Sequence, residues 1–367
     1  MDSISLPFTN EELNQLMIDM TRSFNDFSED IAKGRIEELA PPFESYRDFN
    51  GDIISYCSYF FDVYNKHLSE LSDEDLKNAC MMMTSIVEQQ SGDKIAFDLK
   101  KEVRAVEEMI IDTLVQYFKG LPSEAVSRFE KGMTANNMHL FYLIPQLSIA
   151  YGFFYRVRKD NGKPISAGKE LFHVPFELRK LCGTYRYSIL GYPSLYLAER
   201  LSIAKLETDI PGGKPFYAAC FKSKRELRFI DLALGASFET IWDKYCLLVF
   251  YPLIMACGLK VKDPDAPFKP EYVLPQVMAQ VFRLHENGVF DGFSYVSTKV
   301  DKPDYMDINM RNYVMWIKGA DEEKGYSKSL ADSFSVSGPI KCSGDMLTDD
   351  IEKELRSSPF LPIIDDN

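Results

Sequence analysis

The chain has 367 residues, of which 46% are hydrophobic and 13% aromatic. That length exceeds one ordinary core and suggests two domains, and the composition excludes a globally disordered chain. A net charge of −13 with a pI of about 5.0 excludes a general nucleic-acid binder, which needs a basic face; it also repels anions at long range, so a nucleotide pocket has to depend on a few local arginines.

The first third reads as helical. Thr9 and Glu12 form a capping-box pattern ahead of Leu13, Leu16, Met17, Met20, Phe24, Phe27 and Ile31, a spacing that predicts one long amphipathic helix. Pro41 and Pro42 break the chain, and an apolar segment follows from Ile53 to Tyr64. Ser72 and Asp73 offer caps for a helix through Ile86. Ile95, Leu99, Val103, Val106, Ile110, Leu114 and Tyr117 form another stripe, closed by Gly120. Pro122 opens one more helix. These stripes read as the core of a helical bundle.

From about Tyr142 short β-rich runs appear, at Phe153 to Val157, Leu195 to Ala198 and Phe293 to Ser297. Turn signals separate them at Asn161-Gly162, Gly191-Tyr192-Pro193 and Pro211-Gly212-Gly213. Helices are expected from Ala198 to Leu206, from Phe238 to Tyr251, and from Pro275 to Gly288. The division is a helical N-terminal domain over 1–145, an α+β domain over 146–342, and an acidic C-terminal tail over 343–367, with a short helix or loose chain in the tail.

Seven scattered cysteines without a C-x-x-C pair, and four dispersed histidines, read as reduced thiols in a cytoplasmic protein without a metal site. The greasiest run, Cys246 to Leu259, is cut by Pro252 and too short for a bilayer, and the N-terminus has no signal core; no membrane contact is expected. The sequence has no P-loop, dinucleotide fingerprint, nucleophile elbow or H-E-x-x-H motif. None of His67, His139, His173 and His285 follows an arginine by four to six residues, which argues against an RNA-cleaving helical bundle. His173, ahead of Val174-Pro175-Phe176, reads as a packed, hydrogen-bonded residue.

Four blocks carry chemistry. They are Phe154-Tyr155-Arg156-Val157-Arg158; Glu170-Leu171-Phe172-His173-Val174-Pro175-Phe176; Arg186-Tyr187-Ser188 through Gly191-Tyr192-Pro193-Ser194-Leu195-Tyr196-Leu197-Ala198 to Glu207; and Glu271-Tyr272-Val273-Leu274-Pro275-Gln276 with Asp291-Gly292-Phe293-Ser294-Tyr295-Val296-Ser297. In this order, over roughly residues 150 to 300, they resemble the RES domain family, in its longer form with an N-terminal helical domain. Tyr187 and Ser188 stand where shorter RES proteins have Trp and Asn.

The resemblance implies an ADP-ribosyltransferase-like mixed α/β fold and an enzyme that consumes NAD by hydrolysis or phosphorolysis, as a bacterial toxin or anti-phage effector. NAD is then the substrate, with no separate cofactor. Carried over by residue, the resemblance makes Arg156, Glu207 and Ser297 catalytic, and Arg156, Arg186, Tyr196 and Ser297 the NAD-binding set. A neutralising partner protein and an oligomer are expected with it. The chemistry of these residues suits the assignment. Guanidinium forks match the diphosphate bidentately, and a fixed carboxylate at Glu207 stabilises positive charge building on the ribose. Tyr196 can stack on a flat ring, and Ser297 can hydrogen-bond the ribose or position the acceptor. Two other readings are a transferase that modifies a macromolecule and an inactive nucleotide-sensing or scaffold protein.

Overall fold

The computed structural model describes residues 15, 17–41, 43, 49, 52–134, 140–210, 213–233, 238–284, 289–300, 308–318, 324–343 and 346–364. Several sequence expectations lie outside these residues: the Thr9/Glu12 capping box, Leu13, Leu16, Pro42, His139, the Pro211-Gly212 turn, His285 and the Gly288 helix end.

The N-terminal region is helical, with α1 (Arg22–Ala32), α2 (Ile53–Ser69), α3 (Asp73–Ser91), α4 (Leu99–Phe118) and α5 (Pro122–Thr134). Local chemistry sets their ends. Asp52 accepts from the Ile54 and Ser55 amides, Ser72 from Asp75, and Asp98 from Lys101, each satisfying helix donors that lack a partner within the helix. Gly120 follows α4 with φ 80°, a conformation that favours glycine. The long first helix expected from the sequence is interrupted at Thr21, which has φ −130° and whose hydroxyl donates to the Met17 carbonyl.

The rest is a mixed sheet with helices. In chain order come β1 (Gln146–Ala150), β2 (Phe153–Lys159), β3 (Ser194–Ala198), α6 (Leu201–Glu207), β4 (Phe216–Ser223), β5 (Glu226–Asp231), α7 (Ile241–Cys257), α8 (Val273–Leu284), β6 (Gly292–Val296), β7 (Arg311–Trp316), β8 (Phe334–Ser337), β9 (Ile340–Cys342), α9 (Thr348–Ser357) and β10 (Phe360–Pro362). The described strands form one sheet in the order β1-β5-β6-β7-β3-β2-β4-β8-β10, with β9 on β4. The β5–β6 pair is parallel and the others are antiparallel. Gly292 permits close approach of β6 and β7, since a Cβ there would lie 1.8 Å from the Val314 carbonyl oxygen. The architecture is a mixed α/β sheet domain with an N-terminal helical region.

One apolar core joins α1–α5, α7 and α8 to Ile230, Phe293, Val314 and Trp316 of the sheet. A second, around Phe154, Leu195, Leu197, Phe221, Tyr313 and Phe334, includes Leu171, Phe172 and Phe176. A third lies beneath α6 and α9, around Tyr155, Val157, Leu201, Ile351 and Leu355. Of the two forms expected for the tail, α9 is the helix, and β10 adds an edge strand to β8.

Helix α7 runs through Pro252 without ending there. Proline has no N–H to donate to the carbonyl four residues back, that of Leu248. The Tyr64 hydroxyl of α2 donates to that carbonyl instead, at 2.7 Å. The helical region thus completes the backbone bonding of a helix that packs on the sheet.

Candidate active site

The expected site residues lie on neighbouring central strands of the sheet and on the segments that follow them. Strands β2, β3, β7 and β6 are consecutive neighbours. Ala198 pairs with Asn312, and Asn312 pairs with Tyr295, so the three share a face. Tyr196, two residues before Ala198, lies on that face as well. Tyr196, Asn312 and Tyr295 form its floor.

The segment Tyr185–Ser188 makes one wall. The Ser188 hydroxyl is 2.9 Å from the Tyr196 hydroxyl. The Tyr185 ring meets the Tyr196 ring at 5.4 Å, edge to face, and the Tyr187 ring lies 4.7 Å from that of Tyr295. Gln276 of α8 ties this wall down by donating to the Tyr185 carbonyl at 3.0 Å.

Strands β2 and β3 pair only at Tyr155–Ala198, although β2 pairs with β4 at seven positions. Arg156 follows Tyr155 and so leaves β2 on the face opposite Ala198, Asn312 and Tyr295; it reaches into the parting, with Nη1 donating to the Tyr196 carbonyl at 3.3 Å. Among the described residues it makes no other hydrogen bond. Burial, with Arg158 nearby, lowers its guanidinium to about 10, which leaves it cationic at neutral pH.

Glu207 ends α6. Its Oε1 accepts from Asn312 Nδ2 at 2.9 Å, and its carbonyl accepts from Lys299 Nζ at 2.9 Å. Burial raises the Tyr295 phenol, and the Glu207 charge is the next cause; Glu207 likewise raises the Tyr272 phenol behind burial and against the Arg186 charge. The carboxylate therefore acts on Tyr295 and Tyr272, whereas Arg156 borders Tyr196 and Tyr185.

Ser297 closes β6 and is buried. Its hydroxyl accepts from the Lys299 amide at 3.2 Å and shapes the turn after the strand. Lys299 thus joins the Ser297 turn to the end of α6, and its ammonium also pairs with Asp209 at 2.7 Å.

Arg186 occupies a different position from the diphosphate fork expected of it. It is buried, and its terminal nitrogens are engaged inside the protein. Nη1 donates to the Cys257 carbonyl and Nη2 to the Leu259 carbonyl, both at 2.9 Å, and Nη2 also donates to Thr298 Oγ1 at 3.2 Å. Tyr272 packs against it, 5.1 Å from ring centre to guanidinium carbon. It caps the C-terminal end of α7, where a cation is favoured, and joins the Tyr185–Ser188 wall to the Ser297 turn.

Among the described residues, none of Arg156, Arg186, Glu207 and Ser297 hydrogen-bonds another. Tyr196, Asn312, Thr298 and Lys299 connect them. The sequence reading missed Asn312 and Lys299, and it did not assign Tyr185, Tyr272 or Tyr295 to the site. The signal for Asn312 is a polar pair, Arg311-Asn312, at the head of an otherwise apolar and wholly buried strand.

His173 is packed as expected. Its Nδ1 donates to the Val174 carbonyl at 2.8 Å, and its Nε2 accepts from the Ser327 amide at 2.9 Å. Burial lowers it to about 4, so it is neutral at pH 7. All seven cysteines are free thiols. Among the described residues, no cluster of three or more His, Cys, Asp or Glu side chains could hold a metal ion, and no helix is long and apolar enough to cross a membrane.

The sequence matches no family model, and no solved structure matches it. It is similar to a protein of Bacillus subtilis (strain 168) named "Putative toxin YopC", with 27% identity over 269 residues. The match covers 67% of this chain and 60% of the relative, so the chain spans about three-fifths of that protein's length.

Proposed function

We propose that the protein is an ADP-ribosyltransferase-like enzyme that cleaves the nicotinamide–ribose bond of NAD and passes the ADP-ribosyl group to water or inorganic phosphate. The observation that carries this reading is Glu207, held through Oε1 by Asn312 on the sheet face that also carries Tyr196, whose carbonyl accepts from Arg156. The order of parts also agrees with the RES resemblance: an arginine on one central strand, a tyrosine on its neighbour, and a carboxylate on the next helix.

In the proposed reaction the bond from ribose C1′ to the pyridinium nitrogen breaks, and its electron pair goes to that nitrogen. Nicotinamide leaves neutral and needs no general acid. Positive charge builds on the ribose, and the Glu207 carboxylate stabilises it. An oxygen of water or phosphate bonds C1′, and water loses a proton to solvent. Arg156 binds the diphosphate, and Tyr196 and Tyr185 hold a flat ring by stacking. Ser297 orients the ribose or the acceptor. Arg186 enters as a positioning residue that fixes the aromatic wall.

The name of the Bacillus relative supports a toxin role. The protein then acts in the cytoplasm and is restrained by a neutralising partner. Purified protein mixed with NAD, with and without phosphate, tests the reading, with free nicotinamide as the measured product. Absence of nicotinamide release under both conditions, together with unchanged NAD in expressing cells, overturns it. Label from adenine-labelled NAD retained on protein or nucleic acid redirects it to a macromolecular transferase.

A further inference from the structure

A cavity of about 530 Å³ lies between α3, the segment leading into β1, the end of β5 and the start of α7. It shares no lining residue with the candidate active site, and its volume falls in the range of small-molecule sites. Three aromatic side chains line it, Tyr142, Phe238 and Trp242, together with the amides of Gln90 and Gln146 and the acids Asp231 and Asp243, the latter engaged with Thr240 at the start of α7. Among the described residues of its walls there is no Lys, Arg or His. Lys244 packs against the Phe238 ring, but its ammonium donates to Asn25 Oδ1 at 2.8 Å.

This chemistry selects a ligand class. Aromatic rings take flat heteroaromatic faces. Two side-chain amides offer both donors and acceptors to a ring edge. A phosphate would lose its hydration without gaining a cationic partner, a cost that such a group avoids by staying out. We propose that this cavity binds a flat, phosphate-free heteroaromatic molecule, a nucleoside or a nicotinamide-type base, between the helical region and the sheet. The site is separate from NAD cleavage and does not depend on it. One of its two acids, Asp231, pairs with Arg311, and the next residue, Asn312, holds Glu207.

Trp242 provides a probe, because the only other tryptophan, Trp316, is 3% exposed in the core. Full-length protein is titrated separately with adenosine, nicotinamide and AMP while tryptophan emission is followed. A saturable change is expected with adenosine or nicotinamide, and whichever binds identifies the source; AMP is expected to bind at least about tenfold more weakly than adenosine. Trp242→Phe is expected to lose the fluorescence change. Gln146→Ala, at an exposed position, is expected to weaken binding about tenfold with an unchanged melting temperature. Arg156→Ala is expected to leave the titration unchanged, which distinguishes this cavity from the candidate active site. No saturable change with adenosine or nicotinamide, AMP binding as tightly as adenosine, or loss of binding in Arg156→Ala but not in Gln146→Ala overturns the proposal.

Discussion

Asn312 on β7 donates its side-chain amide to Oε1 of Glu207 at the end of α6, 2.9 Å away and 105 residues apart in sequence. This bond fixes the proposed charge-stabilising carboxylate against the sheet. Glu207→Gln is expected to lower the rate of nicotinamide release by about 10²–10³ while NAD still binds. Asn312→Leu is expected to lower it less, by about tenfold, because the charge remains and only its placement is lost. Single-turnover kinetics and NAD calorimetry on both variants check this, and equal losses in the two would show that the amide does more than position the acid.

Arg156 is expected to hold phosphate by its fork, not by charge alone. Arg156→Lys keeps the cation and loses the planar donor pair. A weakening of NAD binding by about tenfold or more is expected, read by calorimetry on the variant combined with Glu207→Gln so that substrate is not consumed. Undiminished affinity would remove Arg156 from the ligand.

Arg186 is expected to act on stability. Arg186→Met strands the carbonyls of Cys257 and Leu259, which it now satisfies. A loss of about 2–4 kcal/mol in urea unfolding is expected. An unchanged unfolding midpoint with weakened NAD binding would return Arg186 to the ligand.

The Tyr64–Pro252 relationship makes a thermodynamic cycle. Tyr64→Phe removes the donor to the Leu248 carbonyl, at an expected cost of about 1–2 kcal/mol. Pro252→Ala restores a helix N–H for the same carbonyl, so in that background the cost is expected to shrink. Urea melts of the two single variants and the double variant give the coupling, and strict additivity would refute it.

Burial raises the carboxyls of Glu102 and Glu107 on α4 from 4.5 to about 7. Between those values the folded chain keeps protons that the unfolded chain has released. Stability is therefore lost as pH rises through this window. Replacing both by Gln is expected to raise the unfolding free energy at pH 8, by up to about 3 kcal/mol per site, and to change it little at pH 4.5. An equal change at both pH values would show that the carboxyls titrate normally.

The sequence placed β2, β3 and the Glu207 helix within a few residues, because aromatic and branched runs between turn signals leave few alternatives there. It grouped Arg156, Tyr196 and Glu207 through the RES resemblance. It could not show where Arg186 points, because the carbonyls at the end of α7 have no side-chain signature. Asn312 was hidden in an apolar run that reads as core. Pro252 suggested a break, yet α7 continues, with the Tyr64 hydroxyl, 184 residues before Leu248, donating to the Leu248 carbonyl in place of the missing N–H. These misses share a cause: side chains bonded to partners far away in sequence leave no local pattern.

Glu352 of α9 accepts from the Leu201 amide at 2.7 Å and from Arg200 Nε at 3.1 Å, and so seats the first turn of α6. The contact spans 151 positions. During translation, the helix carrying Glu207 leaves the ribosome long before the residue that steadies its start. A nascent chain that ends ahead of α9 holds the proposed acid on an unfinished support, so the proposed activity is expected only once synthesis has passed that point.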